Sequence, residues 1–152
     1  MKLYLMRHGK AEKGLESLES TLNDEGVKQV SQIAEKLKEK EIKVDELYHS
    51  GLLRADETAS IIKETAFDYL EDMERSMDLA PQAEPKRWQD KLNQEEFLTK
   101  DLFLVSHIPF LQKFTGLLLK DDQGIEFSNA VVICLERGDG KDWHIVWKWI
   151  PE

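Results

Sequence analysis

A chain of 152 residues, 41% hydrophobic and 34% charged, suits one globular domain with a full-sized core. Thirty acidic against 21 basic residues give a net charge of −9, which argues against a general binder of nucleic acid or anionic membranes, because such partners need a positive footprint. One cysteine, Cys134, leaves no disulfide framework within the chain and fits a reducing compartment; with no apolar leader before Arg7 and no membrane span, the expected location is the cytoplasm.

Leu3 to Met6 is a short apolar run of the kind that forms a buried strand. It ends at Arg7-His8-Gly9, which brings a cation and an imidazole to the edge of a sheet, with a glycine that lets the chain turn. Open sheets with helices on both faces place their sites at such strand ends. Alone, this is equally a surface strand end with a chance Arg-His pair. Lys10 to Thr21 reads as a loop directly after it. Asn23 then reads as a helix N-cap with Asp24 and Glu25 in the first turn, where anions suit the dipole. Val27, Val30, Ile33, Ala34 and Leu37 supply an apolar face, and Lys36, Lys38 and Lys40 close the helix.

Glu46 to Ser50 is a second short strand, and Gly51 leads into a helix on which Ala55, Thr58, Ala59 and Ile62 recur. Arg54 lies in the first turn of that helix, where a cation opposes the dipole; it either pairs locally with Asp56 or Glu57 or serves something else. Met73 to Leu79 is read as a strand, followed by a loop marked by Pro81 and Pro85. Arg87 to Leu98 is read as a helix with Trp88, Leu92 and Phe97 on one side. Asp101 to His107 is the clearest buried strand, ending in Ser-His, and Pro109 stands at the start of a helix carried by Phe110, Leu111, Phe114, Leu117 and Leu118. Ala130 to Leu135 and Trp143 to Ile150 form a C-terminal hairpin about Gly138-Asp139-Gly140, with Cys134 and the three tryptophans expected in the core.

Three strand-to-helix junctions thus supply Arg7, His8, Arg54 and His107. If the strands lie side by side, two guanidiniums and two imidazoles meet at one edge, which suits a tetrahedral dianion. Helix starts at Leu52 and Pro109 would add backbone donors. A histidine among cations is disfavoured as imidazolium, so its nitrogen stays available for attack. The sequence holds no HExxH, no cysteine pair, no Asp-rich metal loop and no GxxxxGK[ST], so no metal or other cofactor is expected.

These blocks carry a resemblance. Arg7-His8-Gly9, Ser50-Gly51-Leu52-Leu53-Arg54-Ala55-Asp56-Glu57-Thr58 and Val105-Ser106-His107-Ile108-Pro109 resemble, in order and spacing, the three signature blocks of the histidine phosphatase superfamily, the phosphoglycerate mutase-like fold. The short length, Leu22-Asn23-Asp24-Glu25-Gly26 and Ser-His-x-Pro look most like the small phosphohistidine phosphatases of the SixA type. Gly51 departs from the usual Pro, and Asn23 stands where Ser or Thr is common.

The resemblance implies one α/β domain over residues 1–152, three-layered α/β/α, with a central mixed, mostly parallel sheet. It implies His8 as nucleophile, forming a phosphohistidine intermediate, with Arg7, Arg54 and His107 holding the phosphoryl oxygens. It places a carboxylate proton donor after the third strand: Asp78 is the nearest match, with Glu84 and Glu12 as rivals. The expected activity is metal-independent dephosphorylation of a phosphohistidine-bearing protein. The alternatives are a small-molecule phosphomonoesterase of the same fold and a non-catalytic phosphate- or phosphoprotein-binding module.

Overall fold

Successive apolar residues in the buried strands point to opposite faces of one sheet, and this alternation builds the molecule in three layers. The structure is a computed structural model that describes residues 1–12, 20–139 and 142–152. Among these, the strands are β1 (Lys2–Arg7), β2 (Glu46–His49), β3 (Glu74–Arg75), β4 (Leu102–Ser106), β5 (Val132–Arg137) and β6 (Trp143–Trp149). The α-helices are α1 (Asp24–Glu39), α2 (Leu53–Ala66), α3 (Pro85–Leu92) and α4 (Phe110–Leu119).

The sheet order is β3-β2-β4-β1-β5-β6, with β3, β2, β4 and β1 mutually parallel and β5 antiparallel to both its neighbours. It is therefore mixed and mostly parallel, as expected. Tyr4, Met6, Leu47, Phe103, Val105 and Cys134 face α1 and α2, whereas Leu3, Leu5, Leu102, Leu104, Ile133 and Leu135 face α3 and α4. β1 and β4 are buried on both sides, which is why they read as continuous apolar runs.

Two segments differ from the sequence reading. Met73 to Leu79 is not one strand: only Glu74–Arg75 pairs, against Tyr48 and His49, and Met77–Leu79 forms a 3-10 turn. Both strand residues are exposed, so no buried pattern marks them. The helix read over Arg87 to Leu98 starts earlier and stops sooner, at Pro85–Leu92, because Pro85 fits the first helical position, where its missing N–H is no loss. Phe97 reaches the core from a separate 3-10 turn, Glu95–Phe97. Pro109 caps α4 from outside rather than opening it, and Val27 and Leu117, read as core-facing, are exposed.

Residues 13–19, most of the loop read over Lys10 to Thr21, lie outside the described residues, as do Gly140 and Lys141 of the hairpin turn. The ends of that loop are joined: Ala11 bridges Leu22, and the Glu12 amide donates to the Thr21 carbonyl at 2.8 Å. The C-terminal tryptophans are half-buried rather than core. Trp147 stacks on Trp149 at 3.7 Å between ring centres, and the pair covers the outer part of the α1 side. No helix among the described residues is long and apolar enough to cross a membrane.

Candidate active site

The parallel strands point their C-terminal ends the same way, so Arg7 of β1, His107 after β4 and Ser50 after β2 reach one edge of the sheet. Arg54 follows in the first turn of α2. The His8 and His107 rings lie 4.9 Å apart between centres. The charges of Arg7 and Arg54 act on both rings, so the four groups expected from the sequence share one site.

Each is held from behind. The Arg7 amide donates to the Val131 carbonyl at 3.1 Å, and its Nη1 donates to the Phe127 carbonyl at 3.0 Å. The His8 carbonyl accepts from the Ala130 amide at 3.0 Å. The segment 127–131, running into β5, therefore clamps the Arg7-His8 pair, a role no local sequence pattern announced. The Gly9 amide donates to Thr58 Oγ1 at 3.1 Å, and that hydroxyl donates to the Arg54 carbonyl at 2.8 Å. One threonine of α2 thus ties the loop after β1 to the turn that carries Arg54. Glu57, one residue earlier, accepts from the Leu22 amide at 2.9 Å and pins the far end of the same loop.

The tautomer of His8 follows from its partner. His8 Nδ1 lies 2.7 Å from the Gly9 carbonyl oxygen, which can only accept, so Nδ1 carries the proton and Nε2 keeps its lone pair. Burial, partly opposed by that hydrogen bond and helped by Arg54 and Arg7, pulls the His8 pKa down to about 4. His107 falls further, to about 2, through burial first and then His8, Arg54 and Arg7. Both rings are neutral at pH 7.

Two buried nitrogens of this site, Arg7 Nε and His107 Nδ1, have no hydrogen-bond partner among the described residues. Unpaired buried polar atoms are costly and need an explanation. A nitrogen from a guanidinium and one from an imidazole, left unpaired on neighbouring strands, suit the oxygens of an anion. The backbone donor expected at Leu52 is not available for this, since the Leu52 amide donates to Ser50 Oγ at 3.2 Å.

Asp78, in the turn after β3, pairs with Arg87 Nη1 of α3 at 3.4 Å. Glu84 is exposed at the N-cap of α3, and Glu12 is exposed beside the undescribed loop residues. Among the described residues, no group of three or more His, Cys, Asp or Glu could hold a metal ion. Cys134 is buried in β5, and burial raises its thiol pKa to about 11, which marks it as a core residue.

A three-layer domain that brings two histidines and two arginines together at the parallel strand ends, one histidine with a bare ring nitrogen, suits phosphoryl transfer. Residues 3–95 match the family model of the histidine phosphatase superfamily, branch 1, and the chain belongs to that superfamily. Its fold is also that of solved structures at low sequence identity. The protein histidine phosphatase SixA, solved with tungstate, superposes with a TM-score of 0.88 at 19% identity, over 99% of this chain and 97% of that one. Phosphoglycerate mutase from Bacillus anthracis gives a TM-score of 0.77 at 17% identity, over 95% and 90% of the two chains. The alpha-ribazole phosphatase from Shigella flexneri gives 0.77 at 16% identity, over 99% and 96%. No curated protein is similar enough in sequence to match.

Proposed function

We propose that this protein is a phosphohistidine phosphatase that works through a phosphohistidine intermediate on His8. The observation that carries the mechanism is an unprotonated His8 Nε2 in one site with Arg7 Nε and His107 Nδ1, two buried nitrogens that find no partner among the described residues. In the first step the Nε2 lone pair attacks phosphorus, and the bond from phosphorus to the substrate's imidazole nitrogen breaks. The leaving imidazole keeps that electron pair and carries its own proton on the ring. In the second step water attacks phosphorus, the His8 N–P bond breaks, orthophosphate leaves, and the water proton passes to solvent or product. Arg7, Arg54 and His107 hold the equatorial oxygens, where charge neutralisation supplies most of the catalysis. No metal enters either step.

Two features favour a phosphorylated protein as substrate. Asp78, the nearest candidate acid, is paired to Arg87 of α3, and an imidazole leaving group protonated before cleavage needs no such acid, whereas an alkoxide does. The segments that follow β2, β3 and β4 each present an exposed large apolar side chain, Leu53, Met77 and Ile108, at the edge where the site lies. Such side chains suit contact with a protein surface. The likeness of fold to the protein histidine phosphatase SixA points the same way. The small-molecule reading draws on the other relatives, a mutase and an alpha-ribazole phosphatase.

Turnover of a phosphohistidine-bearing protein, compared with a panel of sugar phosphates, separates the two readings. We expect preference for the phosphoprotein, activity unchanged by chelators, and acid-labile phosphate trapped on the enzyme during turnover. His8→Ala should abolish both trapping and hydrolysis, a fall of at least about a thousandfold for a removed nucleophile. Strong preference for the panel overturns the substrate; full hydrolysis by His8→Ala overturns the mechanism. A chain that binds phosphate without trapping it is a binding module.

A further inference from the structure

Ser50 is buried to 1% exposure at the end of β2, and its Oγ lies 2.6 Å from His107 Nε2, a residue also 1% exposed. A hydroxyl has one hydrogen and two lone pairs. The Leu52 amide donates into one lone pair at 3.2 Å. Gly51 makes this return possible: at φ +94 it turns the chain so that the Leu52 amide faces back onto the serine, and a Cβ at that position would meet Arg75 Nε at 2.4 Å. The departure from the usual Pro at position 51 thus comes with a local turn that fixes the serine oxygen.

The hydroxyl hydrogen then has the His107 ring nitrogen before it. If Nε2 were the protonated nitrogen instead, Oγ would accept twice and its own hydrogen would need another buried acceptor. His107 Nδ1 would also become a bare lone pair beside the oxygens of a bound anion, which repel it. With the hydrogen on Oγ pointing to Nε2, both faults vanish, and His107 Nδ1 becomes a donor with no partner among the described residues.

We propose that Ser50 is a positioning residue that fixes His107 as the Nδ1–H tautomer, so that His107 serves the phosphoryl group as a neutral hydrogen-bond donor. This rests on His107 binding the phosphoryl oxygens. It divides the two histidines by function: the Gly9 carbonyl and the Ser50 hydroxyl each select a tautomer. His8 and His107 both carry the proton on Nδ1, but His8 presents its bare Nε2 to phosphorus while His107 presents its Nδ1–H to oxygen. The strong depression of the His107 pKa agrees with a ring that works uncharged.

Nitrogen-15 NMR of the histidine rings in the unmodified protein reads the tautomer directly. We expect a pyridine-type resonance for His107 Nε2 and a pyrrole-type resonance for Nδ1. The opposite assignment overturns the proposal whatever the activity. In Ser50→Ala the preference for Nδ1–H should be lost, and kcat/KM should fall about 10- to 100-fold, the size of effect when a partner that orients a histidine is removed. Ser50→Thr keeps the hydroxyl and should restore both the tautomer and most of the activity. An unchanged tautomer in folded Ser50→Ala overturns the proposal. The underlying role of His107 is read separately: His107→Asn with phosphate binding and turnover intact removes that role, while the tautomer of the unmodified protein still reports on Ser50.

Discussion

The Gly9 carbonyl sets the chemistry of His8, because a ring nitrogen facing an obligate acceptor must carry the proton. Any residue would supply that carbonyl, but packing requires a glycine. A Cβ on Gly9 would meet Val30 Cγ2 at 2.7 Å and the Gly26 carbonyl at 2.8 Å, so the loop could not pass so close to α1. In the proposed reaction the site separates, residue by residue, into groups that hold oxygens and one that attacks. Asp78 belongs to neither by its contacts, since its partner is Arg87. Asp78→Asn should therefore leave phosphohistidine turnover within about twofold, as expected for an exposed ion pair. Any turnover of a phosphomonoester, whose alkoxide needs a proton, should fall by about 10²-fold or more if Asp78 swings in as the acid. Steady-state rates on both substrates check this. A large loss on phosphohistidine would make Asp78 a proton donor for the proposed reaction as well.

At the scale of the element, α1 acts as a wall that fixes the loop after β1. Its N-cap, Asn23, accepts from the Gly26 amide at 2.8 Å, and the Asn23 amide donates to the Lys10 carbonyl at 3.0 Å. Gly26 is buried against that loop: a Cβ there would lie 2.0 Å from the Lys10 carbonyl oxygen, a backbone atom that cannot rotate away. Gly26→Ala should cost about 1–3 kcal/mol of stability, the usual range for overpacking, and lower kcat by displacing Gly9 and His8. Thermal unfolding and steady-state kinetics on the purified variant test both. A variant with unchanged Tm and kcat would show that the loop is free to move off the helix. Helix α2 has the matching role on the other side. Thr58 and Glu57 tie it to Gly9 and Leu22.

Across the whole molecule, an acidic chain of net charge −9 encloses a small cationic site whose two histidines are buried and neutral. Their folded-state pKa values lie below the unfolded value near 6.5, so the unfolded chain binds more protons between those limits. The stability they contribute is complete above about pH 6.5 and is lost as pH falls toward 4 for His8 and toward 2 for His107. Tm should fall with pH below about 6.5, and His8→Asn combined with His107→Asn should flatten that part of the profile. Equal slopes in the two proteins would mean that neither ring is buried in its neutral form. Much of this design was legible in the residues. Leu3 to Met6 and Leu102 to Val105 are buried on both faces, so they are apolar throughout and end abruptly at Arg7 and Ser106. Those abrupt ends name Arg7, His8 and His107, and a cation opposing the dipole in the first turn of α2 names Arg54. β3 was hidden because two exposed residues form a strand only through pairing with Tyr48 and His49. Local periodicity, turn residues and charge placement therefore determined β1, β2, β4, β5 and β6, helices α1, α2 and α4, and the arrival of Arg7, His8, Arg54 and His107 at the strand ends. The sheet order, the clamp from residues 127–131, the pairing of Asp78 and the tautomers of both histidines were decided only in the tertiary structure. Each depends on a partner distant in sequence or on the direction of a single hydrogen bond, and neither leaves a periodic trace in the chain.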